Sequence, residues 1–216
     1  MQLDFYLTKY PELQVLYTSV EQDYAERSLI HHNWQHNLRD LARGILISEA
    51  ERANMKIVLA AILLHDIGRL HPEMGQDHYV AGAAIAPSFL IKSGFTEQEI
   101  EEICHCIRAH GPRGIEEPST LSAKICFDVD VLSCSVGFAG VARVFDYFMR
   151  EEGMSVKQMV ELPSGRRGIR QDLYTKTARC MGARGLKKAT NFWQELQQEF
   201  YKEESIVKEI IPIYEE

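Results

Sequence analysis

The stretch that decides the fold is residues 55–70, MKIVLAAILLHDIGRL. It is apolar apart from one lysine until it reaches His65, and this composition predicts a helix from Met55 to His65 that is buried on all sides. The apolar run is too short to span a membrane, because a spanning helix needs about 20 such residues. Burying the ionisable pair His65 and Asp66 is costly unless the pair binds something. The stretch therefore predicts a central helix with a binding site at its carboxyl end, closed by Gly68.

Helical periodicity also dominates the rest of the chain, and strand alternation is scarce. The sequence predicts an all-α helical bundle in one domain over residues 1–216, with a core of about 28–200, an N-terminal helix and an acidic C-terminal tail. Gly94 ends one predicted helix, and Thr96 with Glu99 forms a capping box that begins the next. The other helices are expected at 11–20, 22–30, 33–52, 77–92, 121–148 (as one or two helices) and 172–201 (intact, or broken near Gly182 or Gly185), with loops at 111–118 and 162–168.

Composition and charge restrict the function. The chain has 216 residues, of which 45% are hydrophobic and 25% charged, and its net charge is −7. These values predict a globular protein without an extended nucleic-acid surface, because such a surface needs bulk positive charge. The N-terminus has no signal-peptide pattern, so a cytoplasmic location is expected. An odd number of cysteines, five, is typical of reduced thiols, and Cys104 and Cys106 are interpreted as buried helix thiols rather than a zinc site.

The histidines are concentrated in one part of the chain, which suggests a shared site. All eight precede residue 111: His31, His32, His36, His65, His71, His78, His105 and His110. Imidazole and carboxylate together suit Fe, Mn, Zn, Ni or Co, so the pair at 65–66 predicts a metal site. Residues 125–132, ICFDVDVL, supply two further acids, Asp128 and Asp130, which are about 200° apart on a helix. Only one of them can face a buried metal, and spacing alone does not choose between them.

The sequence resembles a known family at these positions. His36 in HNLRDLA, His65-Asp66 in LLHDIGR and Asp130 in AKICFDVDVL resemble the pattern of the HD superfamily of metal-dependent phosphohydrolases. The following GFAGVAR resembles the bacterial branch related to nucleotide pyrophosphatases, and the resemblance covers about residues 28–200. It implies a helical bundle with a central metal site, in which His36, His65, Asp66 and Asp130 are ligands and Asp128 has a supporting role.

Two further histidines resemble those of family members that hold two metals. His78 in DHYVAGAAIA and His110 in IRAHG would complete a second coordination shell, with Asp66 as a bridge. The resemblance thus implies one or two divalent ions among Fe, Mn, Ni, Zn, Co and Mg, with Fe or Mn favoured. The alternative is that both histidines only cap helix ends. Ser133 stands where other branches carry a third acid, and the signature of cyclic-di-GMP enzymes is absent, which disfavours that substrate.

Two residues besides Asp66 are candidates for catalysis. His32 lies four residues before His36, on the same helical face. HNWQH resembles the H-N-x-x-H segment of cyclic-nucleotide phosphodiesterases, and this implies that His32 protonates the leaving oxygen while His36 binds metal. The alternative for His32 is a capping or stacking role beside Trp34. Arg69 is either a ligand for a phosphate oxygen, which its fork geometry suits, or a member of a surface salt bridge.

Several other polar residues are weaker candidates. Arg113 and Arg143 are considered for phosphate binding, and the arginine-rich run at 166–170 as a phosphate-attracting loop or a solvated one. His71 and Glu73 are considered for orienting water or a ligand. We expect His105 to be structural and His31 to be exposed to solvent.

The predicted function is hydrolysis of a nucleotide or another small phosphate ester or anhydride by metal-activated water, with Asp66 or Asp130 accepting the proton. The expected partner is therefore a small phosphorylated molecule, with a second copy of the chain in a homodimer as an option and no membrane. One alternative is a di-iron oxygenase of the same fold class, which would use the six residues His36, His65, Asp66, His78, His110 and Asp130. The other alternative is a non-catalytic nucleotide-binding sensor.

Overall fold

The computed structural model describes residues 2–27, 29–111, 114–163 and 172–211. Within these ranges the chain forms ten α-helices and no strand, which confirms the all-α prediction. The helices are α1 (Gln2–Lys9), α2 (Pro11–Glu26), α3 (Trp34–Glu51), α4 (Met55–Leu64), α5 (His78–Ser93), α6 (Glu97–Ala109), α7 (Leu121–Ser135), α8 (Gly137–Arg150), α9 (Val156–Glu161) and α10 (Lys176–Ile210). Two short 3₁₀ helices, Ile67–Leu70 and Pro72–Met74, connect α4 to α5.

Helix α4 lies inside the bundle, as its composition predicts. Nine of its ten residues are buried, and it packs against α2, α3, α6 and α7. The exception is Lys56, whose Nζ lies 3.0 Å from Glu12 and 2.8 Å from Glu99 at the amino end of the helix. A helix enclosed in this way delivers its carboxyl end, with His65 and Asp66, to the interior of the protein.

Local sequence signals set the helix ends that position the candidate site. The Asn33 side chain accepts a hydrogen bond from the backbone N–H of His36 at 3.1 Å and so begins α3. Asp77 caps α5 in the same way, and the predicted capping box of Thr96 is present at the start of α6. Gly94 ends α5 with a φ of 89°, a conformation that favours glycine.

One prediction about helix boundaries is wrong, and one open alternative is decided. Residues 11–26 form one helix where two were predicted, because its buried residues Leu13, Leu16, Val20 and Tyr24 continue along one face. The long C-terminal helix is unbroken at Gly182 and Gly185. These glycines permit close packing instead: a Cβ at Gly185 would lie 2.1 Å from Cγ1 of Val136. Helices α1 and α9 were not predicted at all.

The region predicted as one or two helices over 121–148 forms two. Helices α7 and α8 meet at Gly137, whose φ is 70°, and their axes differ by 85°. Arg143 of α8 reaches back and donates from Nε and Nη2 to the Ser133 carbonyl oxygen at 3.1 and 2.9 Å. Of the described helices, none is by itself long and apolar enough to cross a membrane, and only this bent pair passes that test together, by length and composition.

The apolar core consists of two clusters. The larger surrounds α4 and takes side chains from α1 to α7 and from α10. The smaller lies between α8, α9 and α10, where Phe145 stacks on Trp193 with ring centroids 4.9 Å apart. This second cluster anchors α8, whose carboxyl end, including Tyr147 and Glu151, then lies against the loop that precedes α3.

Candidate metal centre

The carboxyl end of α4 supplies the central pair of the site, His65 and Asp66, each 2% exposed. Nδ1 of His65 lies 2.7 Å from the carbonyl oxygen of Ile62. A neutral ring held in this way carries its proton on Nδ1 and directs the lone pair of Nε2 into the site. His110, at the end of α6, is oriented identically by the carbonyl oxygen of Ile107 at 2.6 Å.

A first group of side chains has ligand atoms that all lie within 4.8 Å of one another: His36, Asp40, His65 and Asp130. Asp66 adds a carboxylate oxygen to this group. Nε2 of His36, Nε2 of His65 and Oδ2 of Asp66 form a triangle with sides of 3.3, 3.2 and 3.4 Å. Ligands at right angles around an ion with bonds of about 2.0–2.3 Å are themselves about 2.8–3.3 Å apart. The triangle therefore has nearly the dimensions of one face of a metal coordination sphere.

The charges of the first group also fit a cation. Both carboxylate oxygens of Asp40 and Nδ1 of His36 are buried without a hydrogen-bond partner among the described residues. Burial raises the pKa of Asp40, since its carboxylate loses water. Burial alone would lower the pKa of His65, but the carboxylates of Asp66 and Asp40 raise it to about 10. The carboxylates thus favour positive charge at this point, as a proton or as a metal ion.

A second group consists of Asp66, His78 and His110. Oδ1 of Asp66 lies 3.8 Å from Nε2 of His78 and 3.7 Å from Nε2 of His110, while its Oδ2 faces the first group. Asp66 therefore lies between the two groups with one oxygen directed at each. This is the arrangement that a carboxylate bridging two ions requires.

Arg69 borders the second group, and its side chain is 20% exposed. Its Nε donates to Oδ1 of Asp66 at 2.7 Å, and its Nη2 lies 3.1 Å from Nε2 of His78. Burial alone would raise the pKa of Asp66, but the charges of His65 and Arg69 hold it well below its usual value. Burial and the charge of Arg69 lower the pKa of His78. The guanidinium group thus contacts the same two atoms that a second metal ion would use.

The structure separates the two acids of α7. Asp130 lies in the first group, with Oδ1 3.9 Å from Nε2 of His36. Asp128 faces away and accepts from the backbone N–H of Tyr174 at 2.7 Å, and from the N–H and hydroxyl of Thr175 at 2.8 and 2.7 Å. Asp128 therefore fixes the start of α10, since Thr175 is the N-cap of that helix.

Asp40 is the member of the first group that the sequence analysis missed. It lies four residues after His36 on α3, so both side chains share one face of the helix. Its Oδ2 is 3.3 Å from Nε2 of His36 and 3.7 Å from Nε2 of His65. The i, i+4 spacing within HNLRD is a signal that could have identified it.

His32 lies beside the first group, and its partner is a residue that the sequence did not indicate. Nδ1 of His32 is 3.0 Å from Oε2 of Glu151, at the end of α8. Its ring packs edge-on against Tyr147 and His36, not against Trp34. Burial and the charge of Arg69 lower the pKa of His32. The lowered pKa favours the neutral ring, and the position of Glu151 favours the tautomer that donates from Nδ1.

His31 contradicts the expectation that it is exposed. It is 6% exposed, and its backbone N–H donates to Glu151. The reason is tertiary, because the carboxyl end of α8 covers the loop before α3.

The remaining candidates lie outside both groups. His105 pairs with Glu116 at 2.7 Å, a surface role consistent with its expected structural one. His71 bonds Asp23 and Glu73 at 3.1 and 3.0 Å on the surface, so neither it nor Glu73 is directed at the site. Cys104 and Cys106 are buried free thiols. Arg113, the run at 166–170 and most of the loop predicted at 162–168 fall outside the described residues.

A cavity of about 630 Å³ opens beside the second group. Arg69, His78 and Tyr147 line it on one side, and Asp77, Glu151 and Glu152 contribute carboxylates. Arg69 and His78 are the residues through which this cavity meets the second group.

Comparisons with known proteins identify a family model and solved structures to which this chain is similar. Residues 33–134 match the model of the HD domain family. A predicted HD superfamily hydrolase from an uncultured Thermotogales bacterium shares 26% identity and a TM-score of 0.65, over 93% of this chain and 99% of that one. Bacillus subtilis YpgQ in complex with ADP shares 20% identity and a TM-score of 0.64, over 88% and 95%. For an HD-superfamily hydrolase from Bacillus thuringiensis the values are 20%, 0.60, 88% and 97%.

No curated protein matches the chain. The family model spans the segment that carries His36, His65-Asp66 and Asp130, and the first of the structures above has the same fold over nearly the whole length of both chains. Residues 33–134 therefore resemble an HD domain, and the fold of the chain is that of a predicted HD superfamily hydrolase.

Proposed function

We propose that this protein is a metal-dependent phosphohydrolase acting on a nucleotide or another small phosphate ester or anhydride. The observation that carries the proposal is the first group, a buried set of imidazoles and carboxylates in which Asp40 has no hydrogen-bond donor among the described residues. A divalent ion bound there would supply a water of lowered pKa as the nucleophile and would screen the charge of the phosphate. Mixed nitrogen and oxygen ligands suit Fe and Mn, which we favour.

The residues divide into two possible ion sites. His36, His65, Asp66 and Asp130 would hold the first ion, with Asp40 as an additional carboxylate. Asp66, His78 and His110 would hold a second ion only after Arg69 releases its bonds to Asp66 and His78. This competition supports a one-metal state as the ground state of the protein.

Asp130 is the better candidate for accepting the proton of the attacking water. Its side chain is 16% exposed, whereas those of His36 and Asp40 are each 1% exposed, so it borders space that water can reach. Asp66 is the poorer base, because His65 and Arg69 stabilise its ionised form. We therefore assign Asp66 to metal binding first and to proton transfer second.

Arg69 is placed to bind a phosphate oxygen. Its guanidinium group lines the cavity and already contacts the second group. A fork of parallel N–H donors suits a phosphate, and the positive charge stabilises the anion during attack. Binding a phosphate oxygen would let Arg69 turn from His78 towards the substrate.

His32 protonates the leaving oxygen in this proposal, with Glu151 as a positioning residue. The Glu151 carboxylate fixes the ring through Nδ1 and leaves Nε2 free to carry the transferred proton. Burial and the charge of Arg69 lower the pKa of His32, which favours the neutral ring before substrate binds. An anionic substrate that offsets the charge of Arg69 would raise this pKa, so His32 would acquire its proton as the phosphate binds.

A nucleotide is supported by two observations. The cavity beside Arg69 and His78 is large enough for a ligand bigger than a phosphate ion. The similar protein YpgQ was solved in complex with ADP. A cytoplasmic location and a homodimer remain proposals of the sequence analysis.

The test is to purify the protein without chelator, measure bound metal per chain by elemental analysis, and repeat both steps with Asp66→Ala. We expect about one equivalent of iron or manganese, lost in the variant, and phosphate release from nucleotides with that metal. Oxygen consumption with a mixed-valent iron signal would instead favour the di-iron oxygenase, for which all six residues of that alternative are brought together. Tight nucleotide binding without turnover under several metals would favour the sensor. No bound metal after reconstitution would refute the metallohydrolase.

A further inference from the structure

Three arginines converge beside the first group, on the side of Asp40. Arg39 and Arg43 lie one turn apart on α3, and α8 brings Arg143 to the same place. Arg143 donates to the Ser133 carbonyl oxygen at 2.9 and 3.1 Å, and Nη1 of Arg43 lies 3.4 Å from the Ser133 hydroxyl. Two guanidinium groups thus contact a single residue, Ser133.

The positive charge of this arginine cluster is poorly neutralised. In the part of the chain that the structure describes, Asp40 is the one carboxylate within ion-pair distance, with Oδ1 3.8 Å from Nη1 of Arg43. Burial, followed by the like charges of Arg39 and Arg43, lowers the pKa of Arg143. Such repulsion destabilises the cluster unless an anion is present.

Arg39 is the member without a structural explanation. Arg143 satisfies a carbonyl at the end of α7, and Arg43 donates to the Arg39 carbonyl oxygen at 3.2 Å. No acceptor among the described residues bonds the Arg39 side chain, although its Nε is fully buried. A half-buried guanidinium group with no protein acceptor indicates a ligand with several acceptor oxygens.

We propose that Arg39, Arg43 and Arg143 form a binding site for a phosphoryl group, adjacent to the phosphate that is hydrolysed. The link to a hydrolysed phosphate rests on the proposed function. Binding of an anion by the three arginines does not depend on it. Arg43 and Asp40 connect the arginine cluster directly to the first group, whereas Arg69 serves the second group. The phosphoryl group comes either from the substrate, as the neighbour of the attacked phosphate in an anhydride, or from free inorganic phosphate.

The decisive experiment is calorimetric titration of inorganic phosphate and of pyrophosphate into the full-length protein, with EDTA and again with manganese. The variants are Arg39→Gln, Arg39→Lys and the matched control Arg184→Gln, an exposed arginine on α10. Because a hydrogen bond to a charged group contributes about 1.5–3 kcal/mol, we expect Arg39→Gln to weaken binding about ten- to hundred-fold. The affinity of Arg39→Lys should lie between those of the wild type and Arg39→Gln, and the affinity of Arg184→Gln should equal that of the wild type.

Binding in EDTA does not depend on metal or turnover, so it tests the arginine cluster even if the hydrolase proposal fails. Equal affinity in the wild type and Arg39→Gln, or no binding by either, overturns the inference. If the bound phosphoryl group belongs to the substrate, Arg39→Gln assayed with manganese should raise KM for a nucleoside diphosphate but not for the monophosphate. If the site binds free inorganic phosphate, Arg39→Gln should leave the KM values unchanged and weaken the inhibition by added phosphate. If neither the KM values nor the inhibition by added phosphate changes while the nucleotide is still hydrolysed, the arginine cluster is not a phosphoryl site.

Discussion

Replacing Asp40 by asparagine tests whether this residue binds a cation or stabilises the fold. The substitution keeps the shape of the side chain and removes its charge. Oδ2 of Asp40 lies 3.3 Å from Nε2 of His36 and 3.7 Å from Nε2 of His65, so an ion bonded to both nitrogens is within about 4 Å of the carboxylate. At that distance one pair of unit charges interacts by about 4 kcal/mol at an effective dielectric constant of about 20.

Because the ion is divalent, the loss is at least about 4 kcal/mol, which corresponds to a metal affinity at least roughly a thousand-fold lower. The free energy of unfolding of the metal-free protein should fall less than it does for a carboxylate that accepts short hydrogen bonds, because the contacts of Asp40 with His36, His65 and Arg43 are longer, at 3.3, 3.7 and 3.8 Å. Competition with a fluorescent chelator measures the first quantity, and urea unfolding in EDTA measures the second. Unchanged metal affinity, or a large loss of stability without metal, would show that Asp40 is a structural residue.

Asp128→Asn is the matched control, since Asp128 is also a buried carboxylate but accepts three hydrogen bonds from Tyr174 and Thr175. We expect it to lower the free energy of unfolding by about 2–4 kcal/mol, because charge-assisted bonds to the start of α10 are lost. Its metal affinity, measured at a temperature where the variant is folded, should equal that of the wild type. The substitution of Asp40 should thus act mainly on metal binding, and the substitution of Asp128 mainly on stability.

Three further predictions test other parts of the structure. Gly68→Ala should destabilise the protein by about 3 kcal/mol in urea, because overpacking is costly and its Cβ would lie 2.2 Å from the carbonyl oxygen of His78. Gly75→Ala, which has a positive φ but open space, should lose only about 1 kcal/mol, and equal losses would contradict the packing explanation. Glu151→Gln should lower kcat with little change in KM, most for poor leaving groups, and an equal loss for good leaving groups would exclude Glu151 from positioning the acid. His32 and His31 lower the pKa of Glu151 to about 2, although burial opposes them. The stabilisation of the fold by ionised Glu151 is therefore present above its usual pKa of about 4.5 and lost as pH falls towards 2. The difference in free energy of unfolding between the wild type and Glu151→Gln should shrink over that interval. His110→Ala should leave about one metal equivalent bound and abolish any second one, whereas His36→Ala should abolish the first.

The helices that carry the site were largely predictable, because their signals are local. The apolar run of α4, the Asn33 cap and the capping box of Thr96 are each encoded within a few residues. The sequence left open a break at Gly182 or Gly185 for the complementary reason. A glycine in a helical pattern signals either flexibility or close approach, and only the position of Val136 decides between them.

The sequence by itself determined the helical class and the pair at the end of α4, since a buried helix that ends in His65 and Asp66 presents them to the interior. It could not decide between Asp128 and Asp130, because two residues about 200° apart on a helix differ only in what their faces meet. Tertiary packing brought Asp130 to the first group, joined Glu151 to His32, and brought Arg43 and Arg143 to Ser133 across long stretches of chain. Contacts of this kind depend on how helices pack, and no local pattern of residues records them.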